Sequence, residues 1–287
     1  MARDLTYHLG EVVDRQQISP HLVRVVVGGD GLAAWSSTGV PDEAFLLVVP
    51  DPDTGELTFP DQVAADGDPY ACSRWYTVRR YDAERHQVTF DVVVHEVGVA
   101  TRWAQDAVPG NPVGLSSTRS WYALPQDATW QLLFGDIASL PAISRILEQT
   151  PAHVHTRAVV EIPDTADAQA LGPEVIWEHN SRLATRGSGL GQIVGRAELP
   201  SGPGYVYVAG EAAATRDARK DLRRERGLAK EAYGVIGYWR VDRETWMRRF
   251  EAAQIDLEKI YADGERAGLD EEQLSDEVDR QLDAAGL

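Results

Sequence analysis

A change of pattern near Ala123 constrains the fold of this chain more than any other feature of its sequence. Before this residue, strand-like segments follow one another with turn residues between them, whereas after it strand-like and helical segments alternate. Strands without long helices predict an antiparallel sheet or barrel, and alternating strands and helices predict an open parallel sheet. A chain of 287 residues has room for about two such domains. We therefore predict a division into residues 1–123, 124–241 and 242–287.

The predicted elements follow from local composition. Before residue 123, segments rich in β-branched and aromatic residues are bounded by glycine and Asp-Pro turns, which is typical of strands. They cover residues 21–29, 45–50, 75–81 and 87–95, with one short helix near 99–105. Later strands are predicted at 130–135, 154–162, 174–179, 205–210 and 233–239, with helices at 139–149 and 212–226. From residue 243 the chain is predicted to form two helices that break at 267–269.

Charge and cysteine content argue against several classes of partner and site. The net charge of −17 disfavours nucleic acid and anionic membranes. Nearly half of it lies in residues 256–287, which contain eleven acidic and three basic residues. The single cysteine, Cys72, can form neither an internal disulfide nor a cysteine metal cluster, and no metal site is predicted. No apolar run approaches the ~20 residues of a membrane span and the N-terminus lacks an apolar signal core, so a cytoplasmic protein is expected.

The strongest local signal is the hexapeptide Arg-Trp-Tyr-Thr-Val-Arg at residues 74–79. On a strand, Arg74, Tyr76 and Val78 lie on one face and the other three residues lie on the opposite face. A flat aromatic side chain can cover an isoalloxazine ring, and a nearby hydroxyl or backbone N–H can hydrogen-bond flavin N5. The two arginines offer the planar fork that suits a pyrophosphate. The alternative is an ordinary strand with cation–π pairs across it.

This hexapeptide resembles the R-x-Y-[ST]-x-R flavin motif of the siderophore-interacting branch of the ferredoxin-reductase-like flavoproteins. The resemblance continues in residues 90–104 and in Pro-Gly-Asn-Pro-Val-Gly at 109–114, where the family has P-G-D-x-V-G. Gly98 leads into a short helix whose first-turn N–H groups, together with Thr101, suit the pyrophosphate of FAD. Alternatively, Thr101 only caps this helix, and His95 is a structural residue at the end of a strand.

Three turns in the second half of the chain also resemble turns of this family. Residues 135–143, Gly-Asp-Ile-Ala-Ser-Leu-Pro-Ala-Ile, are similar to G-D-E-T-A-L-P-A-I and follow a predicted strand, where α/β sheets place ligands. Ile137 and Ala138 occupy the positions where the family has Glu and Thr. Two polar side chains are therefore missing where the resemblance places the nicotinamide. Residues 209–212 resemble A-G-E-[AS], and residues 237–240 resemble G-Y-W-R.

The resemblance of the last of these turns implies that an aromatic side chain lies against the flavin. Nicotinamide must displace this side chain or slide past it. Either Tyr238 or Trp239 can take that role, or both are aromatic residues of the core. The choice between NADPH and NADH is open, because Trp-Glu-His-Asn at 177–180 stands where the family often has Trp-Leu-x-Arg. Arg182 or Arg186 can replace that arginine as a ligand of the NADPH 2′-phosphate.

The resemblance spans about residues 5–240 and implies both a fold and a function. The expected fold is an N-terminal antiparallel FAD-binding β-barrel, an open parallel α/β domain that binds NAD(P)H, and an acidic C-terminal helical tail. The expected reaction is the FAD-dependent reduction of ferric siderophores to release Fe(II), with electrons from NADPH or NADH. A second hypothesis keeps this fold and takes electrons from reduced ferredoxin. A third is a siderophore carrier without enzymatic activity.

The same resemblance implies the residues of the site. Tyr76 and Thr77 are expected at the reacting part of the flavin. Arg119, Arg240 and Arg243 are candidates to steer an anionic ferric siderophore. The residues expected to bind the cofactors are Arg74, Tyr76, Thr77, Val78, Arg79, His95, Val99, Ala100, Thr101, Asp136, Ser139, Pro141, Glu211, Tyr238, Trp239 and Arg240.

Overall fold

Two β-sheets dominate the computed structural model, which describes residues 5–63, 68, 70–94 and 98–287. The strands of the first sheet are β1 (Tyr7–Ser19), β2 (Leu22–Gly28), β3 (Ala44–Val48), β4 (Ser73–Thr77), β5 (Arg80–Asp82), β6 (Gln87–Val93) and β7 (Pro112–Ser116). Their order in the sheet is β4-β3-β7-β1-β2-β6-β5, and neighbouring strands are antiparallel. A helix, α1 (Val99–Asp106), lies between β6 and β7 in the chain.

The first sheet closes into a barrel because its two edge strands are consecutive in the chain. Only Val78 and Arg79 separate β4 from β5, although β4 pairs with β3 at one edge and β5 pairs with β6 at the other. The Arg79 backbone N–H donates to the Thr89 carbonyl of β6 at 2.8 Å, which joins the two edges. The closed sheet surrounds an apolar core that includes Phe45 and Phe90. The predicted antiparallel barrel is confirmed.

Two strands of the barrel, β1 and β7, are absent from the sequence prediction. Strand β1 buries only Gly10 and Val12 of its thirteen residues, so it lacks the apolar density that marks the other strands. Strand β7 is short and contains Gly114, which leaves room for a neighbouring ring. A Cβ atom on Gly114 would lie 2.3 Å from a carbon of Phe59. Pairing with neighbouring strands, rather than local composition, decides the structure of both segments.

The second sheet is parallel and open, as predicted. Its strands are β8 (Trp130–Asp136), β9 (His155–Ile162), β10 (Val175–His179), β11 (Gly204–Glu211) and β12 (Tyr233–Trp239), in the order β10-β9-β8-β11-β12. Every residue of the central strand β8 is buried, because apolar layers cover both faces of the sheet. The helices of this part are α2 (Leu140–Gln149), α3 (Leu183–Arg186), α4 (Leu190–Arg196) and α5 (Ala212–Lys220).

The C-terminal segment contains three helices, and the prediction of two was wrong. They are α6 (Arg243–Ala253), α7 (Leu257–Arg266) and α8 (Glu271–Ala284). The predicted break near Gly268 is present, but a second one follows Gln254, which adopts a left-handed conformation with φ of 51°. Asp256 then caps α7 by accepting a hydrogen bond from the Lys259 N–H at 2.9 Å. Within the described ranges, no helix is both long enough and apolar enough to cross a membrane.

The acidic tail packs against the basic helix α5. Lys220 pairs with Asp283 at 2.7 Å, Arg223 pairs with Asp276 at 3.1 Å, and an aspartate of α8 lies between them. That aspartate, Asp279, is bonded to an arginine of α5, whereas Arg223 lies in the helical turn just after α5. Part of the negative charge that the sequence concentrates in the tail is therefore balanced locally by cations of the same chain.

A buried ion pair joins the barrel to α2. The Glu43 carboxylate, at the start of β3, is fully buried and accepts from the Thr38 N–H at 2.7 Å and from the Arg145 guanidinium at 3.1 Å. Arg145 lies on α2 and also donates to the carbonyl of Val78 at 2.6 Å. One side chain of the parallel-sheet part thus holds both β3 and the segment between β4 and β5. The division at residues 123 and 241 stays a prediction.

Replacing Arg145 by alanine is expected to lower the free energy of unfolding by about 3 kcal/mol, because Glu43 is left buried without its cation. Chemical denaturation measures this change. Arg157→Ala is the matched control, since Arg157 pairs with Glu174 at 3.7 Å on the exposed surface and should cost less than about 1 kcal/mol. Equal losses in the two variants would contradict a special role for the buried pair.

Candidate functional site

The two sheets meet where the barrel strand β4 approaches the end of β12. Thr77, the last residue of β4, is buried, and it lies near Tyr238 of β12, where it acts against the burial that raises the pKa of that tyrosine. The Tyr238 hydroxyl also lies 3.1 Å from the Tyr207 hydroxyl of β11. The strand of the predicted flavin motif therefore faces the carboxyl ends of the parallel strands, the edge where open α/β sheets bind ligands.

Asp136, at the end of β8, ties together three turns on this edge. It is fully buried, and its carboxylate accepts from the Ala138 N–H at 3.0 Å, the Glu211 N–H at 2.8 Å and the indole N–H of Trp239 at 2.8 Å. These donors belong to the turns after β8, β11 and β12. Gly210 makes the close packing possible, because a Cβ atom there would lie 2.4 Å from an Asp136 oxygen.

Burial raises the pKa of Asp136 to about 7, although the three N–H donors stabilise its charged form. Among these donors, the Trp239 indole lowers the pKa of Asp136 most, followed by the backbone N–H groups of Glu211 and Ala138. The position of Trp239 is thus explained by a structural hydrogen bond. The Tyr238 hydroxyl lies 3.1 Å from the Tyr207 hydroxyl, and the choice between Tyr238 and Trp239 as the aromatic residue against the flavin stays a prediction.

The turns after β8 and β11 are rigid for local reasons. Ser139 is buried and its hydroxyl donates to the Asp136 carbonyl at 2.8 Å, while Pro141 lies in the first turn of α2. Glu211 caps α5 by accepting from the N–H groups of Ala213 and Ala214, each at 2.9 Å. These predicted nicotinamide residues are therefore brought to one edge of the sheet.

On the barrel side, Arg74 lies in a site suited to an anion. Its guanidinium donates to the carbonyls of Tyr70 at 2.8 Å and Ser73 at 2.6 Å, which holds the side chain along the barrel surface. Burial and the nearby Arg243 guanidinium both lower the pKa of Arg74. Neither arginine pairs with a carboxylate within the described part of the chain. Two adjacent cations without a counter-ion fit the pyrophosphate of FAD.

Two further features of this surface fit a flavin nucleotide. Helix α1 begins after Gly98 with no side-chain cap, so its first-turn N–H groups are open to an anion. Val99 and Ala100 supply these groups. Tyr76 is partly buried and packs on Phe90 of β6, with ring centroids 5.5 Å apart, which fixes the tyrosine ring on the strand of the motif.

Some predicted cofactor residues have protein partners in the structure. Arg79 pairs with Glu148 of α2 through two hydrogen bonds of 3.0 and 2.5 Å. Val78 packs in the barrel core, and the Thr101 hydroxyl donates to the carbonyl of Val93 at 3.3 Å. His95 lies outside the described residues. The roles of all four toward a cofactor stay predictions.

The three arginines proposed for the substrate lie in different surroundings. The Arg119 guanidinium lies over the exposed Trp75 ring, 5.2 Å from its centroid, and Arg240 lies 4.2 Å from the centroid of the Trp246 ring. Arg243 is exposed and adjacent to Arg74. Arg119 and Arg243 therefore both lie near the predicted flavin strand, Arg119 beside Trp75 and Arg243 close to Arg74.

Sequence reasoning missed two residues of this region, Asp42 and Tyr207. Both are fully buried, and the Tyr207 hydroxyl donates to the Asp42 carboxylate at 3.3 Å. Asp42 is followed by a second buried acid, Glu43, immediately before an apolar strand. Two adjacent acids directly before a buried strand are unusual, because buried charges need partners. This pattern is the sequence feature that could have identified Asp42 as a residue of the site.

Comparisons with known proteins agree with this geometry. Two protein-family models match the chain. The family of siderophore-interacting FAD-binding domains matches residues 11–120, and the family of siderophore-interacting proteins matches residues 128–242. An uncharacterized protein of Mycobacterium tuberculosis is 34% identical over 267 residues, which cover 84% of this chain and 93% of the relative. The chain belongs to the siderophore-interacting protein family. Its N-terminal half is thus a domain of the FAD-binding type, and FAD is its cofactor.

Two other relatives of this siderophore-interacting protein have informative descriptions. The NADPH-dependent ferric-chelate reductase of Escherichia coli is 27% identical over 248 residues, which cover 82% of this chain and 94% of the relative. The crystal structure of a siderophore utilization protein from T. fusca superposes with a TM-score of 0.69 at 33% identity, covering 83% of this chain and 94% of that one.

The raised pKa of Asp136 predicts a specific pH dependence of stability. Because the folded pKa of about 7 exceeds the usual 3.8, the folded chain holds a proton at this site more tightly than the unfolded chain does. The free energy of unfolding, relative to that of Asp136→Asn, should therefore fall as the pH rises from about 4 to about 7 and then level off. Denaturant titrations across this range measure it.

A matched control for this titration is Asp164→Asn. Asp164 is exposed and caps a short helical turn by accepting from the Ala166 N–H at 2.8 Å. The raised pKa would be contradicted if the difference in the free energy of unfolding between the parent and Asp136→Asn stayed constant with pH. It would also be contradicted if that difference changed with pH just as the difference between the parent and Asp164→Asn does.

Proposed function

We propose that this siderophore-interacting protein reduces ferric siderophores and releases Fe(II), with electrons that NADPH or NADH delivers to FAD. The hydrogen bond from the Arg145 guanidinium of α2 to the Val78 carbonyl, at 2.6 Å, carries the proposal, because it joins the segment after the flavin-motif strand to the helix that follows β8 at the ligand edge of the parallel sheet. A nicotinamide at that edge would lie beside a flavin on the barrel. The name of the Escherichia coli relative, a ferric-chelate reductase, supports the same reaction.

The chain's own contribution is positioning and electrostatics. FAD supplies the conversion of a two-electron donor into single-electron steps. Arg74 and the first turn of α1 hold the negative pyrophosphate, and Tyr76 covers the ring. Tyr238, whose hydroxyl lies 3.1 Å from that of Tyr207, is the aromatic residue proposed for the other side of the site. These side chains place donor and acceptor close together and exclude water from the contact between them.

The substrate side of the proposal rests on charge. A ferric siderophore with carboxylate or phenolate groups is commonly anionic, and Arg243 presents an exposed cation beside Arg74. Arg119 and Arg240 are the further cations proposed for this role. One NAD(P)H carries two electrons and so reduces two ferric centres. Release follows because Fe(II) binds oxygen-rich chelates far more weakly than Fe(III), and no side chain need act on the siderophore as acid or base.

The structure also bears on the electron donor. Ile137 is buried in the core, and Ala138 offers no polar side chain, so this turn meets the nicotinamide through its backbone. Asn180, where the family often has arginine, donates to Glu161 at 2.8 Å. The exposed Arg182 and Arg186 are the remaining cations proposed for the NADPH 2′-phosphate.

A visible spectrum tests the proposed function most directly. The purified protein is expected to show bound oxidised flavin that bleaches with anaerobic NADPH or NADH and recovers when a ferric siderophore is added, with Fe(II) trapped by a colorimetric chelator. Bleaching by reduced ferredoxin alone would replace the donor and keep the reductase. Tight siderophore binding by a protein that cannot take up FAD would favour a carrier and contradict the proposal.

The role of Tyr76 can be separated from that of its hydroxyl. Tyr76→Ala removes the ring and is expected to weaken FAD binding by about tenfold, the scale of one aromatic stacking contact. Tyr76→Phe keeps the ring and should bind FAD as the parent does. Isothermal titration of the flavin-free protein with FAD measures both constants. Parental affinity in Tyr76→Ala would contradict stacking on this ring.

A further inference from the structure

One cation at the ligand edge has no polar partner in the protein. Arg240 directly follows β12, so it lies at the carboxyl end of a parallel strand. Its side chain is partly buried, and among the described residues its guanidinium makes neither a hydrogen bond nor an ion pair. A charge in such a position is costly without a counter-ion. The surroundings of Arg240 therefore suit an anion that comes from outside the chain.

The acid whose charge acts on Arg240 is already engaged elsewhere. Burial lowers the pKa of Arg240, the Glu211 carboxylate raises it, and the Arg216 guanidinium lowers it further. The Glu211 carboxylate accepts from the Ala213 and Ala214 N–H groups, each at 2.9 Å, and so caps α5. The N–H donors of Arg240 therefore remain available to a ligand.

An aromatic ring of the C-terminal segment supports Arg240 instead. The guanidinium carbon lies 4.2 Å from the centroid of the Trp246 ring on α6. Trp246 also stacks on Phe250, with ring centroids 5.1 Å apart and 16° between the ring planes. The indole N–H of Trp246 is buried without a hydrogen-bond partner among the described residues, so stacking and not a hydrogen bond explains the position of this ring. A guanidinium that stacks on a ring keeps its in-plane donors free.

We propose that Trp246 positions Arg240 to bind an anionic oxygen group of the ferric siderophore, so that α6 favours anionic siderophores over cationic ones. A guanidinium held flat against a ring loses less conformational freedom when it binds. Carboxylate and catecholate oxygens match its planar fork. Trp246 is a positioning residue, because it acts through Arg240, and it lies beyond residues 128–242 that the family matches. This inference rests on the proposed function, which makes a ferric siderophore the substrate.

Redox-inert gallium(III) complexes measure this binding without electron transfer. Gallium(III) resembles iron(III) in charge and size but is not reduced by flavin, so gallium tris-catecholate is an anionic stand-in for the substrate. Isothermal titration of the FAD-loaded protein gives its affinity. Arg240→Ala is expected to weaken binding by about tenfold. Trp246→Leu removes the aromatic face and should weaken binding by about fivefold, whereas Trp246→Phe should restore most of the affinity.

A double variant separates positioning from general damage. If Trp246 acts through Arg240, Trp246→Leu should cause no further loss in the Arg240→Ala background. Arg240→Lys is a second variant in case Trp246→Leu folds poorly, because it keeps the charge without the planar group and should lose about fivefold.

Arg248→Ala is the matched control for these variants. Arg248 is an exposed arginine of the same helix, and its guanidinium donates to the Thr245 hydroxyl at 2.9 Å. Its variant should bind the gallium complex as the parent does. Parental FAD affinity in every variant shows that the fold is intact.

A loss in Arg240→Ala and Trp246→Leu that is confined to the anionic complex, with a cationic gallium trihydroxamate unaffected, supports the proposal. The proposal would be overturned if the parent did not bind the anionic complex, or if Trp246→Leu bound it as the parent does. Equal losses for both complexes, or a further loss in the double variant, would also overturn it. If the parent binds the gallium complex but ferric tris-catecholate fails to reoxidise its reduced FAD, the proposed function is wrong and the Arg240 site stands.

Discussion

Two adjacent carboxylates, Asp42 and Glu43, are buried where the barrel meets the parallel sheet, and the geometry of the site depends on their partners. Burying one charge is costly unless a counter-ion or hydrogen bonds replace the lost water. Here the partners come from the other part of the chain: Arg145 for Glu43, and Tyr207 for Asp42. The two sheets must therefore keep the relative position in which β4 faces the end of β12.

A third buried carboxylate organises the ligand edge itself. Parallel strands end side by side, so the turns that follow β8, β11 and β12 converge, and their N–H groups would be unsatisfied if nothing accepted from them. Asp136 accepts from all three turns. The same bond to the indole explains why Trp239 is held within the parallel-sheet part.

Charge is distributed over the molecule in two different ways. Along the tail, aspartates of α8 pair with cations of α5 and of the helical turn that follows it, so part of the acidity of the sequence is balanced within the chain. Near the flavin strand, Arg74 and Arg243 lie together without a carboxylate among the described residues. The first arrangement stabilises the fold, whereas the second leaves an electrostatic preference that an anionic cofactor or substrate satisfies.

The sequence by itself determined the order of the two folds, most strands and the motif turns, because these depend on local composition, periodicity and residues within a few positions of one another. It also indicated the family. Only the tertiary structure decided which residues converge: that Arg79 pairs with Glu148, that Trp239 bonds to Asp136, and that Asp42 lies beside Tyr207. The reason is physical, since each of these contacts joins groups far apart in the chain, and only the packing of the two sheets brings them within hydrogen-bonding distance.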